Sequence, residues 1–202
     1  MITDIILINT LNNRFITEPG VNRLRELDQC IFYLKKNVIK DRKIKLHFVF
    51  DIKSSCLQTR IIKKYGLNHS IYFIEKITPI DSFFAKTIIL EFFKPKINTC
   101  LYIETDVKII NNVDFILKAR FDELICLDYT DGKSCGDFII FNKKTTIFEK
   151  INKFITPGLN NYDILIEEFN KYRKKYTIFN NIIKVHNEPF TKYKIIHEHT
   201  YD

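Results

Sequence analysis

Short apolar runs alternate with longer segments of helical periodicity along this chain, and that alternation constrains its fold more than any other feature. "DIILIN" (4–9) is expected to form a buried strand. In "VNRLRELDQCIFYLKKN" (21–37), Leu24, Leu27, Ile31 and Leu34 fall on one face at helical spacing, after a turn marked by Pro19 and Gly20. "KLHFVFD" (45–51) reads as a second strand. Ser54 or Ser55 is suited to cap a helix through "CLQTRIIKKYG", with Gly66 closing it. "SIYFIE" (70–75) is a third strand, and "DSFFAKTIILEFFKP" (81–95) a helix with Asp81 as its N-cap.

The pattern continues with a fourth strand in "CLYIETDVKII" (100–110), a short helix near "VDFILKA", and strands in "ELICLD" (123–128) and "DFIIFN" (137–142). Helical patterns follow in "TIFEKINKFI" and "NNYDILIEEFNKYRKKY", and the tail holds two short strand-like pieces. Alternation of this kind predicts an α/β domain with a mostly parallel sheet. Ligands of such sheets bind at the carboxyl ends of the strands. At 202 residues and 46% hydrophobic content the chain can bury one sizeable core, so a single domain over residues 1–202 is expected.

Composition narrows the setting. The cysteines (Cys30, Cys56, Cys100, Cys126, Cys135) are odd in number, scattered and free of CxxC spacing, which argues against a zinc site or disulfide framework and for a reducing, cytoplasmic compartment. "MITDIILINTLNN" carries Asp4 ahead of a short apolar run and no basic segment, and no apolar stretch approaches a membrane span. The net charge of +8 favours polyanionic partners, nucleotide diphosphates and nucleic acid among them. Because the lysines are dispersed, as in "YLKKNVIKDRKIK" and "KYRKKY", solvated helix faces account for them better than a polyanionic partner does.

Within the fourth strand, Glu104, Asp106 and Lys108 interrupt an apolar run. If the strand continued through them they would share a face. If it ends near Glu104, the carboxylates sit at the strand–loop junction on the carboxyl edge. Two neighbouring carboxylates stay ionised most readily beside a cation, and hard oxygen ligands suit Mg²⁺ or Mn²⁺.

The order of these features resembles the GT-A glycosyltransferases, particularly the glycogenin and galactosyltransferase-like group. Lys86 lies on a helix, "LYIETD" follows, then "CGDFIIFNKK" (135–144), and "KIIHEH" comes late in the chain. The resemblance implies a three-layer sandwich around a mostly parallel sheet. It also implies transfer of sugar from a UDP- or GDP-sugar to a glycan, protein or small-molecule acceptor, with Mn²⁺ or Mg²⁺ bound. Glu104 and Asp106 match the two acids of the DxD motif, Asp106 ligating the metal and Glu104 facing ribose or metal. His197 matches the metal-binding histidine, and Lys86 the basic residue near the donor sugar or diphosphate. Thr10 and Asn12 fall in the loop that holds base and ribose, with Thr105 beside the donor. Gly136 and Asp137 fall where sugar and acceptor meet, giving Asp137 and Lys86 as the catalytic candidates.

The chain departs from the family pattern in places. Glu104 replaces an Asp, Ser134 or Cys135 stands where Asn is usual, and Asn161-Tyr162-Asp163 stands where an acidic residue and Gln are expected. Asp128 suits either a sugar hydroxyl or the turn in "DYTDG", and His47 and His69 are expected to be structural. The rival enzyme reading is a Mg²⁺-dependent nuclease of PD-(D/E)xK type using Asp81, Asp106 and Lys108. It leaves "CGDFIIFN" and "KIIHEH" without a role, so nucleic acid is not the expected partner.

Overall fold

The computed structural model describes residues 2–10, 20–40, 43–52, 55–78, 85–121, 124–128, 134–153, 182–184 and 195–197. β1 (Asp4–Asn9) leads to α1 (Arg23–Leu34), which runs on as a π-helical stretch, Lys35–Ile39. Asn22 caps α1, its side-chain oxygen accepting from the Arg25 amide at 2.9 Å. β2 (Lys45–Phe50) stops one residue short of the expected Asp51. α2 (Ser55–Lys63) then closes through Gly66, whose φ of 60° is the left-handed conformation that the sequence position anticipates.

β3 (His69–Phe73) is shorter than expected at its end, because Ile74–Lys76 tightens into a 3₁₀ turn. α3 (Ala85–Phe93) and a 3₁₀ turn at Lys94–Lys96, around Pro95, precede β4 (Thr99–Glu104). β5 (Val107–Ile109), α4 (Asp114–Leu117), β6 (Leu124–Asp128), β7 (Ser134–Asn142) and α5 (Ile147–Asn152) follow. β8 (Ile182–Lys184) and β9 (Ile195–His197) are the two strand-like pieces of the tail. The helix expected in "NNYDILIEEFNKYRKKY" and the proposed cap Asp81 lie outside the described residues.

The main sheet has six strands in the order β3-β2-β1-β4-β7-β6. β3, β2, β1 and β4 are mutually parallel, β7 is antiparallel to β4, and β6 pairs antiparallel with β7. A parallel sheet covered on both faces needs apolar residues on both, which is why its strands read as nearly continuous runs. Alternation then divides each strand between two cores. Ile5, Leu7, Leu101 and Ile103 meet Leu27, Ile31 and Leu34 of α1 and Ile62 of α2. Ile6, Cys100 and Tyr102 meet Ile89, Leu90 and Phe93 of α3 and Phe148 of α5. Each such side chain contributes about 1.5–3 kcal/mol when fully buried. The result is the α/β domain with a mostly parallel sheet read from the sequence, in the three layers that the resemblance implies. A smaller sheet, β5-β9-β8, docks beside it, with Val107 paired to His197.

The minor polar residues of the core take structural partners, as expected. His47 Nε2 lies 2.8 Å from Asp4 Oδ1, and His69 Nδ1 lies 2.8 Å from the Leu67 carbonyl. Cys30 and Cys100 are buried free thiols, and burial is the main cause that pushes both upward in pKa.

Candidate functional site

β4 ends at Glu104, and a turn over Thr105 and Asp106 separates it from β5. The strand therefore does not continue through all three charges, and the turn sends the two carboxylates to different company. Glu104 shares the face of Tyr102, two residues earlier, which is the face covered by α3. The antiparallel pairing of Ile103 with Phe138 makes Glu104 and Asp137 the next residues along, so Asp137 reaches the same corner. Lys86, in the first turn of α3, descends onto both.

Its ammonium lies 2.9 Å from Glu104 Oε1 and 2.8 Å from Asp137 Oδ1, and donates at 3.3 Å to the Gly136 carbonyl. It also stands 5.4 Å from the centre of the Tyr102 ring, while the Tyr102 hydroxyl donates to Glu104 Oε1. Burial alone would lower the Lys86 pKa, but Asp137 and Glu104 outweigh it and hold the ammonium well above its ordinary value. Burial raises the Glu104 carboxyl; Lys86 opposes this, and Asp137 and Asp106 reinforce it, leaving a net rise. Burial, then Glu104 and Asp137, keep the Tyr102 phenol protonated far above its usual range. Tyr102→Phe is expected to cost about 1.5–3 kcal/mol in chemical denaturation, because its partner is a charged acceptor in a partly buried site.

On the other face a second polar group forms at the same edge. Asn9, the last residue of β1, is 2% exposed and donates from Nδ2 to Thr105 Oγ1 at 3.0 Å and to the Arg23 carbonyl at 3.2 Å. Gln58 of α2 donates to the Asn9 carbonyl at 2.6 Å and to its side-chain oxygen at 2.8 Å. Arg23 pairs with the buried Glu26 at 2.9 Å and stands 3.7 Å from Asp106 Oδ2. Asp106 is thus buried beside a guanidinium, in a turn that Asn9 holds through Thr105.

The structure brings Lys86, Glu104, Gly136 and Asp137 into one cluster, and sets Thr105 and Asp106 in a second around Asn9. Thr10 follows β1 directly at this edge, half-buried. Asn12 lies outside the described residues, as do Asp81 and Asn161-Tyr162-Asp163. His197 is placed by its backbone, paired across β5–β9 with Val107, the residue after Asp106. Lys108 is buried on β5, in the small sheet. Among the described residues, no three His, Cys, Asp or Glu side chains gather closely enough to hold a metal ion alone. Sequence reasoning missed Asn9, Arg23, Gln58 and Tyr102. Asn9 had a visible signal, a polar residue closing an otherwise apolar strand at the edge where ligands bind.

No family model matches the chain, and no curated protein matches it at a meaningful level of similarity. Solved structures do. Mouse xyloside xylosyltransferase 1, in its apo form, superimposes with a TM-score of 0.67 at 8% identity, covering 98% of this chain and 97% of that one. The bifunctional glycosyltransferase WbbM gives 0.66 at 12% identity, over 97% of this chain but 45% of WbbM. The galactosyltransferase LgtC, solved with donor and acceptor sugar analogues, gives 0.57 at 11% identity over 97% of this chain and 87% of its own. The fold is therefore that of the GT-A-type glycosyltransferases.

Proposed function

We propose that this chain transfers a sugar from a UDP- or GDP-sugar to a glycan, protein or small-molecule acceptor, using Mn²⁺ or Mg²⁺. The observation that carries this reading is the gathering of Lys86, Glu104, Asp137 and Asp106 at the carboxyl edge of a glycosyltransferase-type sheet. The donor set fits a divalent cation in part. Asp106 supplies a buried carboxylate, and the Val107–His197 pairing brings an imidazole-bearing residue into its neighbourhood. Glu104 is engaged by Lys86 and Tyr102, so Asp106 and His197 are the better-suited ligands, with donor phosphates completing the shell. A cation held there would stabilise charge developing on the departing diphosphate.

The chain's own residues do the rest. Lys86, kept cationic by two carboxylates, offers a fixed positive charge beside the donor without having to order itself during the reaction. Asp137, which reaches that ammonium from β7 at 2.8 Å, is the residue proposed to meet the sugar and acceptor. Asn9 and Thr105 fix the turn that presents Asp106, and Thr10 lies where the loop after β1 would meet the nucleoside. A cytoplasmic setting fits the scattered cysteines, of which Cys30, Cys56 and Cys100 are free thiols. No helix among the described residues is long and apolar enough to cross a membrane.

The test is thermal-shift titration of the whole chain with UDP, GDP and Mn²⁺, alone and combined. Stabilisation by one nucleotide that requires the metal is expected, because a ligand that binds only the folded state raises its stability. No response to any nucleotide, together with Mg²⁺-dependent DNA cleavage lost in Lys108→Ala, would overturn the reading in favour of the nuclease. That alternative gains nothing from the fold likenesses, and its Asp81 lies outside the described residues.

A further inference from the structure

The lysines that look dispersed along the sequence are collected by the topology. Helices in this fold run opposite to the parallel strands, so the ends of α1 and α2 meet at the amino edge of the sheet, away from the carboxylate-rich edge. Lys35 and Lys36 are exposed at the end of α1, and Lys40 and Lys43 just beyond it. Arg60, Lys63 and Lys64 are exposed at the end of α2. The two ends are in direct contact, since Lys35 Nζ donates to the Tyr65 carbonyl at 2.8 Å. Asp28 of α1 is paired to Lys64 and accepts from the Tyr65 hydroxyl at 2.5 Å.

Two of the three large apolar side chains exposed on the described surface stand in the same layer. Phe32 is 49% exposed, one turn before Lys35 and Lys36, and Leu57 is 43% exposed, one turn before Arg60. Spacings of three and four residues put each with its lysines or arginine on one helix face. Basic residues beside a protruding apolar side chain, as Lys35 and Lys36 stand one turn from Phe32, match the interfacial zone of an anionic bilayer, where the cations meet headgroups and the apolar tip enters the acyl boundary. Leu57, in the first turn of α2, lies toward the other end of the same face. Nucleic acid suits the surface less well. Phe32 lies edge-to-face on Tyr33, with ring centres 5.2 Å apart, and Leu57 offers no ring for a base to stack on.

We infer that the outer face of α1 and α2 docks this protein onto an anionic phospholipid surface, leaving the carboxylate-rich edge turned toward solution. Each exposed Lys or Arg near such a surface adds about 1 kcal/mol. The experiment is co-sedimentation of the full chain with vesicles of phosphatidylcholine alone or mixed with phosphatidylserine. Binding to the mixed vesicles and not to pure phosphatidylcholine is expected. The triple variant Lys36→Glu, Arg60→Glu, Lys63→Glu should lose at least roughly 100-fold in vesicle affinity, from three lost attractions. Phe32→Ser should weaken the binding that survives at high salt. Because these side chains are exposed, both variants should melt with the parent and keep its response to nucleotide, so this inference can fail without the catalytic reading failing. Equal sedimentation of the triple variant would overturn it. Retention by duplex DNA with no vesicle binding would also overturn it and assign the face to nucleic acid.

Discussion

Replacing Lys86 with methionine is expected to destabilise the fold by about 3–5 kcal/mol, the range seen when one member of a buried ion pair is removed. Methionine preserves the aliphatic length that crosses the core, so lost packing is a small part of the effect. What remains is Glu104 and Asp137 at adjacent positions of paired strands, with Asp106 nearby and no ammonium between them. The pH dependence separates charge from packing. The Lys86 pKa is raised by folding, so its contribution is complete at every pH below the ordinary lysine value and fades only as pH climbs through the raised one. The parent therefore keeps the ammonium charged across neutral and mildly acidic solution, where the raised Glu104 carboxyl is the partner that titrates first. In the variant the carboxylates relieve their repulsion by taking up protons, so its deficit should shrink as pH falls. Urea denaturation at neutral and mildly acidic pH measures both. Adding Glu104→Gln to Lys86→Met should recover part of the loss, through coupling between contacting residues. A deficit independent of pH, and not rescued by that second change, would show that Lys86 acts by packing alone.

Much of this arrangement can be read from the chain, and the unread part has a physical cause. The parallel strands are evident because both faces are buried and the runs are almost wholly apolar. That same property hides which face each residue takes. Ile5, Ile6 and Leu7 look alike in sequence, yet they belong to opposite cores. With no polar alternation to mark the faces, the sequence leaves open whether Glu104 and Asp106 act together. The answer depends on the turn at Thr105, held from β1 by Asn9, about a hundred residues earlier in the chain. Lys86 is similarly concealed. Among Phe83, Phe84, Ile88 and Ile89 it resembles a lysine on a helix surface, and it is buried because α3 lies over the place where β4 and β7 end and begin. Strand ends depart from the sequence expectation where a tight turn takes over, as at Ile74, and the tail strands are legible despite their shortness because each is an isoleucine pair between polar residues.

Asp106→Asn should leave the fold nearly intact while abolishing the metal-dependent response to nucleotide. The substitution keeps shape and hydrogen-bonding capacity, and Arg23 retains Glu26, its nearer partner at 2.9 Å against 3.7 Å for Asp106. The turn is still held by Asn9 through Thr105, so the melting temperature without ligand should move little. What asparagine cannot supply is the anionic oxygen that a hard divalent cation prefers. If Asp106 is the ligand that matters, stabilisation by nucleotide in Mn²⁺ should fall to that seen with nucleotide alone, and sugar transfer should fall by roughly 10²–10³, the size of loss typical for one charge-stabilising group. Glu104→Gln makes the informative contrast. Glu104 belongs to the Lys86 cluster on the opposite face, so its loss should disturb stability and transfer while preserving most of the metal requirement. The reverse pattern, metal dependence lost with Glu104 and kept without Asp106, would move the cation to the α3 side of the sheet and make Arg23, not Lys86, the fixed positive charge left to face the donor.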